Sequence, residues 1–122
     1  MKTAELMIGD WVMRRGEPIM VWEIDEYYKR INTEPDGYNA ITCIEISEVT
    51  PISLTTEILK KNGFQQISIN EYVSGKVTIS ILVEGFLVTI KSGNARARIT
   101  IKHVHELQHA LRLCGIEKEI EI

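Results

Sequence analysis

The chain has little cysteine: two residues in 122, Cys43 and Cys114, far apart in sequence. Without an export signal both read as free thiols, so a disulfide framework is not the basis of the fold. No apolar run approaches the roughly 20 residues that a membrane-spanning helix needs. Residues 1–7 carry an acid, Glu5, and no long apolar core, so they do not read as a secretory signal. The cytoplasm is the expected compartment, with no membrane partner. Excess positive charge is also missing. The formal net charge is -3, which argues against general nucleic-acid binding, because that rests on neutralising phosphates. Linkers, internal repeats and low-complexity runs are absent. So are a glycine-rich phosphate loop and a serine in a nucleophile-elbow context.

What is present is ordinary globular material, with 44% hydrophobic and 25% charged residues. A chain of this length buries about two thirds of its unfolded surface and needs no metal to fold. The expectation is an α+β protein of one compact unit, with a β region over 1–54 and helix, meander, helix and strand over 55–122. Ile8-Gly9-Asp10-Trp11-Val12 reads as a tight turn feeding a strand, and residues 18–24 as a second strand. The Asn, Pro, Asp and Gly of 32–37 mark a loop. Residues 38–49 suggest a strand with one wet face, since Ile44 and Ile46 share parity opposite Glu45.

A helix is expected over 55–62. Thr55 caps it, Glu57 and Lys60/Lys61 suit the two ends of its dipole, and Gly63 stops it. Four strands follow near 65–73, 76–84, 86–91 and 95–101, punctuated by Gly75, Gly85 and Ser92-Gly93-Asn94. A second helix over 103–113 places Val104, Leu107, Leu111 and Cys114 on one stripe, with Ala110 beside it, as cover for the dry face of the sheet. Residues 116–122 alternate Ile and Lys against Glu117, Glu119 and Glu121, which predicts a last edge strand. It pairs within the chain, because three Glu would crowd across a symmetric dimer edge, so a monomer is expected. The predicted core includes Val12, Val21, Ile44, Leu59, Phe64, Ile79, Ile81, Val88, Ile99, Leu107 and Leu111.

Three patterns, in this order, carry a resemblance: Leu6-Met7-Ile8-Gly9-Asp10-Trp11-Val12, Pro51-Ile52-Ser53-Leu54-Thr55-Thr56-Glu57-Ile58-Leu59-Lys60-Lys61-Asn62-Gly63-Phe64, and Val104-His105-Glu106-Leu107-Gln108. Together they resemble a group of small proteins of gut Bacteroidetes and their phages or mobile elements, over nearly the whole chain. The group has no known activity, so the resemblance transfers no functional residue. It implies an N-terminal SH3-like barrel or part-barrel, then a helix, a meander and a helix. It also implies that the position of His109 is often another residue, which counts against a metal role there.

Three places could carry chemistry or binding. His105-Glu106-Leu107-Gln108-His109 matches H-E-x-x-H, where two imidazoles a turn apart hold zinc and Glu106 activates its water. A third ligand is missing, however. Arg112 sits on the histidine face, no third His follows downstream, and Glu117, Glu119 and Glu121 lie too close in sequence. The histidines also fall well over 100° from the apolar stripe, which predicts a solvent-exposed face with chance spacing and, at most, adventitious Zn²⁺ or Ni²⁺ binding. A zinc hydrolase is therefore the alternative, and no cofactor is implied. The second place is the basic hairpin with Lys91, Arg96, Arg98 and Lys102. Residues 76–112 hold six basic and two acidic residues, a local +4 that suits an anion, nucleic acid or acidic partner. It equally suits a wet sheet face guarded by charge, as no aromatic residue interleaves it for base stacking. The third place is aromatic. Trp11 and Trp22 read as barrel core, and Tyr27 and Tyr28 as surface candidates for a peptide or protein partner. Cys114 is expected to be buried and inert, and Cys43 to lie on a strand. The leading functional expectation is a non-catalytic, partner-binding accessory protein.

Overall fold

The computed structural model describes residues 1–33 and 43–122. Most of the expected 32–37 loop and the start of the expected 38–49 strand lie outside them. The chain divides into two compact units, Met1–Ile52 and Ser53–Ile122. It is mixed α+β and mostly strand, with two antiparallel sheets and two α-helices among the described residues.

The first unit runs through a 3-10 turn (Thr3–Glu5), β1 (Trp11–Arg14), β2 (Glu17–Asp25), β3 (Arg30–Thr33), β4 (Cys43–Glu45), a 3-10 turn (Ile46–Glu48) and β5 (Val49–Pro51). The sheet order is β4-β3-β2-β1-β5. Arg15 and Gly16 join β1 to β2 with φ of 49° and 78°. Two successive positive φ values make the hairpin turn whose twist matches the flanking strands. The turn before β1 closes on Asp10, whose Oδ2 accepts the Met7 N–H at 2.8 Å. Leu6, Val12, Val21, Ile31, Ile44 and Val49 form the core. Strand alternation then sends Trp11, the neighbour of Val12, to the other face, and a register shift between Val21 and Glu23 leaves Trp22 unpaired with β3. Trp11 is only half-buried and Trp22 is 47% exposed, which corrects the expectation that both are core.

The second unit begins with α1 (Thr56–Lys61), where Thr55 Oγ1 accepts the Ile58 N–H at 3.2 Å as expected of an N-cap. Next come β6 (Gln65–Ser68), β7 (Glu71–Ser74), β8 (Val77–Ile81), β9 (Phe86–Ser92) and β10 (Ala95–Ile101), a meander of order β10-β9-β8-β7-β6. The strand expected over 65–73 is therefore a hairpin, turning at Ile69 and Asn70. The strand expected over 76–84 stops at Ile81, where the chain turns towards Gly85. That glycine has φ of +86°, and a Cβ on it would stand 2.5 Å from the Ile101 carbonyl oxygen. Tyr72, Ile79 and Val88 are direct cross-strand neighbours on the dry face and are all buried. Ile99 continues that row on the edge strand β10 and is 44% exposed, and Ile81 is half-buried. Both depart from the predicted core for one reason: an edge strand, like a strand end, has neighbours on one side only.

The second helix, α2 (Val104–Leu113), buries Val104, Leu107, Ala110 and Leu111 as its periodicity predicts, and also His105 and Gln108. Cys114 follows as the C-cap and is exposed, contrary to expectation; Cys43 is exposed as well. Residues 116–122 form no strand. Their alternation survives as an extended segment with Ile120 buried and Glu117, Glu119 and Glu121 exposed. Asn62 takes the place of a sheet partner. Its Nδ2 donates to the Glu121 carbonyl at 2.8 Å and its Oδ1 accepts the Glu121 N–H at 2.7 Å. No helix among the described residues is long and apolar enough to cross a membrane.

Candidate functional sites

The H-E-x-x-H motif occupies the first turns of α2, and its three polar side chains have separate surroundings. Glu106 stands at the third helical position and turns back towards the helix start. Its Oε1 accepts the N–H of Lys102 at 3.0 Å and of His103 at 2.9 Å, and lies 2.9 Å from His103 Nδ1. The His103 N–H is the N-cap donor that a helix start leaves without an intrahelical partner, and the Lys102 N–H is the backbone donor just before it. Burial alone would raise the Glu106 pKa. The two N–H groups and the neighbouring His103 outweigh it and hold the carboxyl below its ordinary value. His105 is 6% exposed, which corrects the expectation of an outward histidine face; His109, like His103, is half-buried. The correction has a simple cause: α2 buries a wider arc than its apolar stripe. The rings of His105 and His109 meet edge to face at 5.5 Å, and those of His103 and His105 stack at 5.7 Å. Among the described residues, no three His, Cys, Asp or Glu side chains are grouped as a metal site requires.

Tyr27 and Tyr28 sit in the turn between β2 and β3, 85% and 61% exposed. Their rings meet edge to face at 4.9 Å, and the Arg30 guanidinium lies 5.4 Å from the Tyr28 centroid. Arg30 is itself engaged, with Nε donating to Glu45 Oε1 at 2.9 Å, which raises its pKa further. Asp25 Oδ1 accepts the Tyr28 N–H at 3.0 Å and shapes the turn. Sequence reasoning placed Trp22 in the core and so missed it as a surface aromatic. The pairing of β2 with β3 shifts register between Val21 and Glu23, which leaves Trp22 as the extra, unpaired residue of β2, and nothing in the sequence announces that irregularity.

The basic hairpin is the third candidate. Lys91 and Arg96 are directly paired across β9 and β10, as are Thr89 and Arg98 one row further on. Directly opposite residues share a face, and so do residues two apart. Lys91, Arg96 and Arg98 therefore lie together on the polar face, beside the Thr78–Thr89 pair and opposite the dry row of Ile79 and Val88. The Lys91 N–H donates to the Lys76 carbonyl at 3.1 Å, bringing the backbone of a fourth basic residue alongside. Lys91 and every residue of 95–100 are exposed. Among the described residues no carboxylate pairs with Lys76, Lys91, Arg96 or Arg98. Lys102 lies 3.9 Å from Glu84.

Comparison with known protein families, with characterised proteins and with solved structures found no match.

Proposed function

We propose that the chain is a non-catalytic binding protein that takes an acidic segment of a partner protein on the polar face of β9 and β10. The observation that carries this reading is the arrangement of Lys91, Arg96 and Arg98: three exposed cations on one face, placed by strand register, with no carboxylate among the described residues within ion-pairing distance of them. Unpaired charge projecting from fixed positions on a sheet attracts a complementary surface and favours one orientation of it. A protein segment suits the chain better than a nucleic acid, because the net charge of -3 repels an extended phosphate backbone outside this patch. In the first unit, four meandering strands are followed by a 3-10 turn and by a last strand, β5, that returns to pair with β1. That order supports an SH3-like reading of the unit, with Tyr27 and Tyr28 as a second, aromatic contact. The zinc-hydrolase alternative is disfavoured by Glu106, whose acceptor oxygen serves the start of α2, and by the burial of His105.

The test is affinity capture from native lysate at low and high salt, with wild type, Arg96→Ala/Arg98→Ala and Tyr27→Ala/Tyr28→Ala. A charge-held partner leaves at high salt and is lost with the arginine variant. A partner that resists salt and disappears with the tyrosine variant would move the site to the first unit. No specific partner at either salt would leave the binding role without support.

A further inference from the structure

We infer that β10 is a receiving edge for strand addition, and that its occupant is an extended protein segment alternating acidic and apolar residues. This rests on the acidic-partner reading above and adds the mode of binding and the pattern that is recognised.

Sheet edges expose unpaired backbone groups, and proteins commonly protect them by keeping edge strands short, bulged or covered. In the first unit both edges are short: β4 and β5 have three residues each. In the second, β6 has four residues and a register shift between Gln66 and Ser68. At the other edge, β10 runs seven residues in unbroken register with β9, and its first six are exposed. It is the long, regular edge among the described residues.

The phase of its free groups follows from the hairpin. Ser92 and Ala95 flank a two-residue turn, Gly93 and Asn94, so they exchange both backbone bonds. Every second pair does the same, Ile90 with Ala97 and Val88 with Ile99. The N–H and C=O groups of Arg96, Arg98 and Thr100 therefore point away from β9. The chain itself uses the next group in this series. Lys102 O accepts the Leu54 N–H at 3.0 Å, beside an antiparallel bridge between Ser53 and His103. Strand addition is thus already begun at one end of the edge by residues 53–54, and the edge stays open from Arg96 to Thr100.

Side chains select the occupant. Opposite a bound strand, Arg96 and Arg98 flank one face, and Ala97 and the exposed Ile99 flank the other. Acids alternating with apolar residues match both faces at the two-residue period of a strand. A second copy of β10 does not match. Antiparallel pairing centred on Ala97 would set Arg96 against the partner's Arg98, a repulsive contact.

The test is fluorescence anisotropy on the full chain with labelled peptides. One alternates glutamate with valine; a second has the same composition with its glutamates in one block. Two more are the alternating peptide N-methylated at every other residue, one for each phase. The alternating peptide should bind about tenfold more tightly than the block peptide, and one N-methylated phase alone should lose about tenfold or more, as expected for one or two lost backbone bonds. Equal binding of the alternating and block peptides would overturn strand addition and leave the acidic-partner reading standing. Binding of neither would overturn both. A short single-stranded oligonucleotide that binds where the peptides do not would also overturn it, and so would a sedimenting dimer that excludes the peptide.

Discussion

Glu106 accepts two backbone N–H groups on one oxygen, and that role fixes how its variants behave. Glu106→Ala should cost about 1 kcal/mol in urea unfolding, the usual scale of a lost helix cap, while Glu106→Gln keeps an acceptor and should cost clearly less. A hydrolase would show the opposite pattern, with Gln abolishing activity and stability unmoved. The carboxyl also makes stability depend on pH. Its folded pKa is depressed, so its contribution is complete above the unfolded pKa and is lost as pH falls through the folded one. Glu106→Gln should flatten that acid limb, and unchanged acid sensitivity would contradict the assignment. Residue by residue, the sequence spoke clearly where one cause dominates. Thr55 is a cap in pattern and in fact. His105 and Trp22 were misjudged because a wheel or a propensity records what a side chain prefers, whereas burial depends on which neighbours arrive from elsewhere in the chain.

At the scale of elements, two contacts make sharp tests. Gly85 combines φ of +86° with the Ile101 carbonyl 2.5 Å from where a Cβ would be. Gly85→Ala should cost roughly 1–3 kcal/mol or more, exceeding Gly75→Ala, where the added atom meets open space. Asn62 holds the tail through both polar atoms of its amide, and Lys61 Nζ donates to the Ile122 carbonyl beside it. Asn62→Ala should destabilise by about 1–3 kcal/mol and speed hydrogen exchange at the Glu121 amide. Slow exchange in that variant would mean that another group secures the tail. The first helix was legible from its cap, its end charges and its glycine stop, and the second from its apolar periodicity. The tail shows the limit of alternation. It correctly marks which residues are buried, yet a side-chain amide can satisfy an extended segment as a neighbouring strand would. Likewise, residues 65–73 hold no glycine or proline to announce the turn that splits them into β6 and β7.

On the scale of the whole molecule, the net charge of -3 conceals an uneven distribution. The meander gathers Lys91, Arg96 and Arg98 on one polar face, and the acids of residues 117–121 lie on a segment tied to Asn62. The count of six basic against two acidic residues over 76–112 was visible in the sequence. Which face they share came only with strand register. The central claim is that this face is where a partner binds, and an amide chemical-shift titration of the full chain with polyglutamate tests it most directly. We predict shifts concentrated in Lys91 and residues 95–100, reversed by salt and absent from Arg96→Ala/Arg98→Ala. Shifts concentrated instead around Tyr27, Tyr28 and Arg30, with β10 silent, would contradict it.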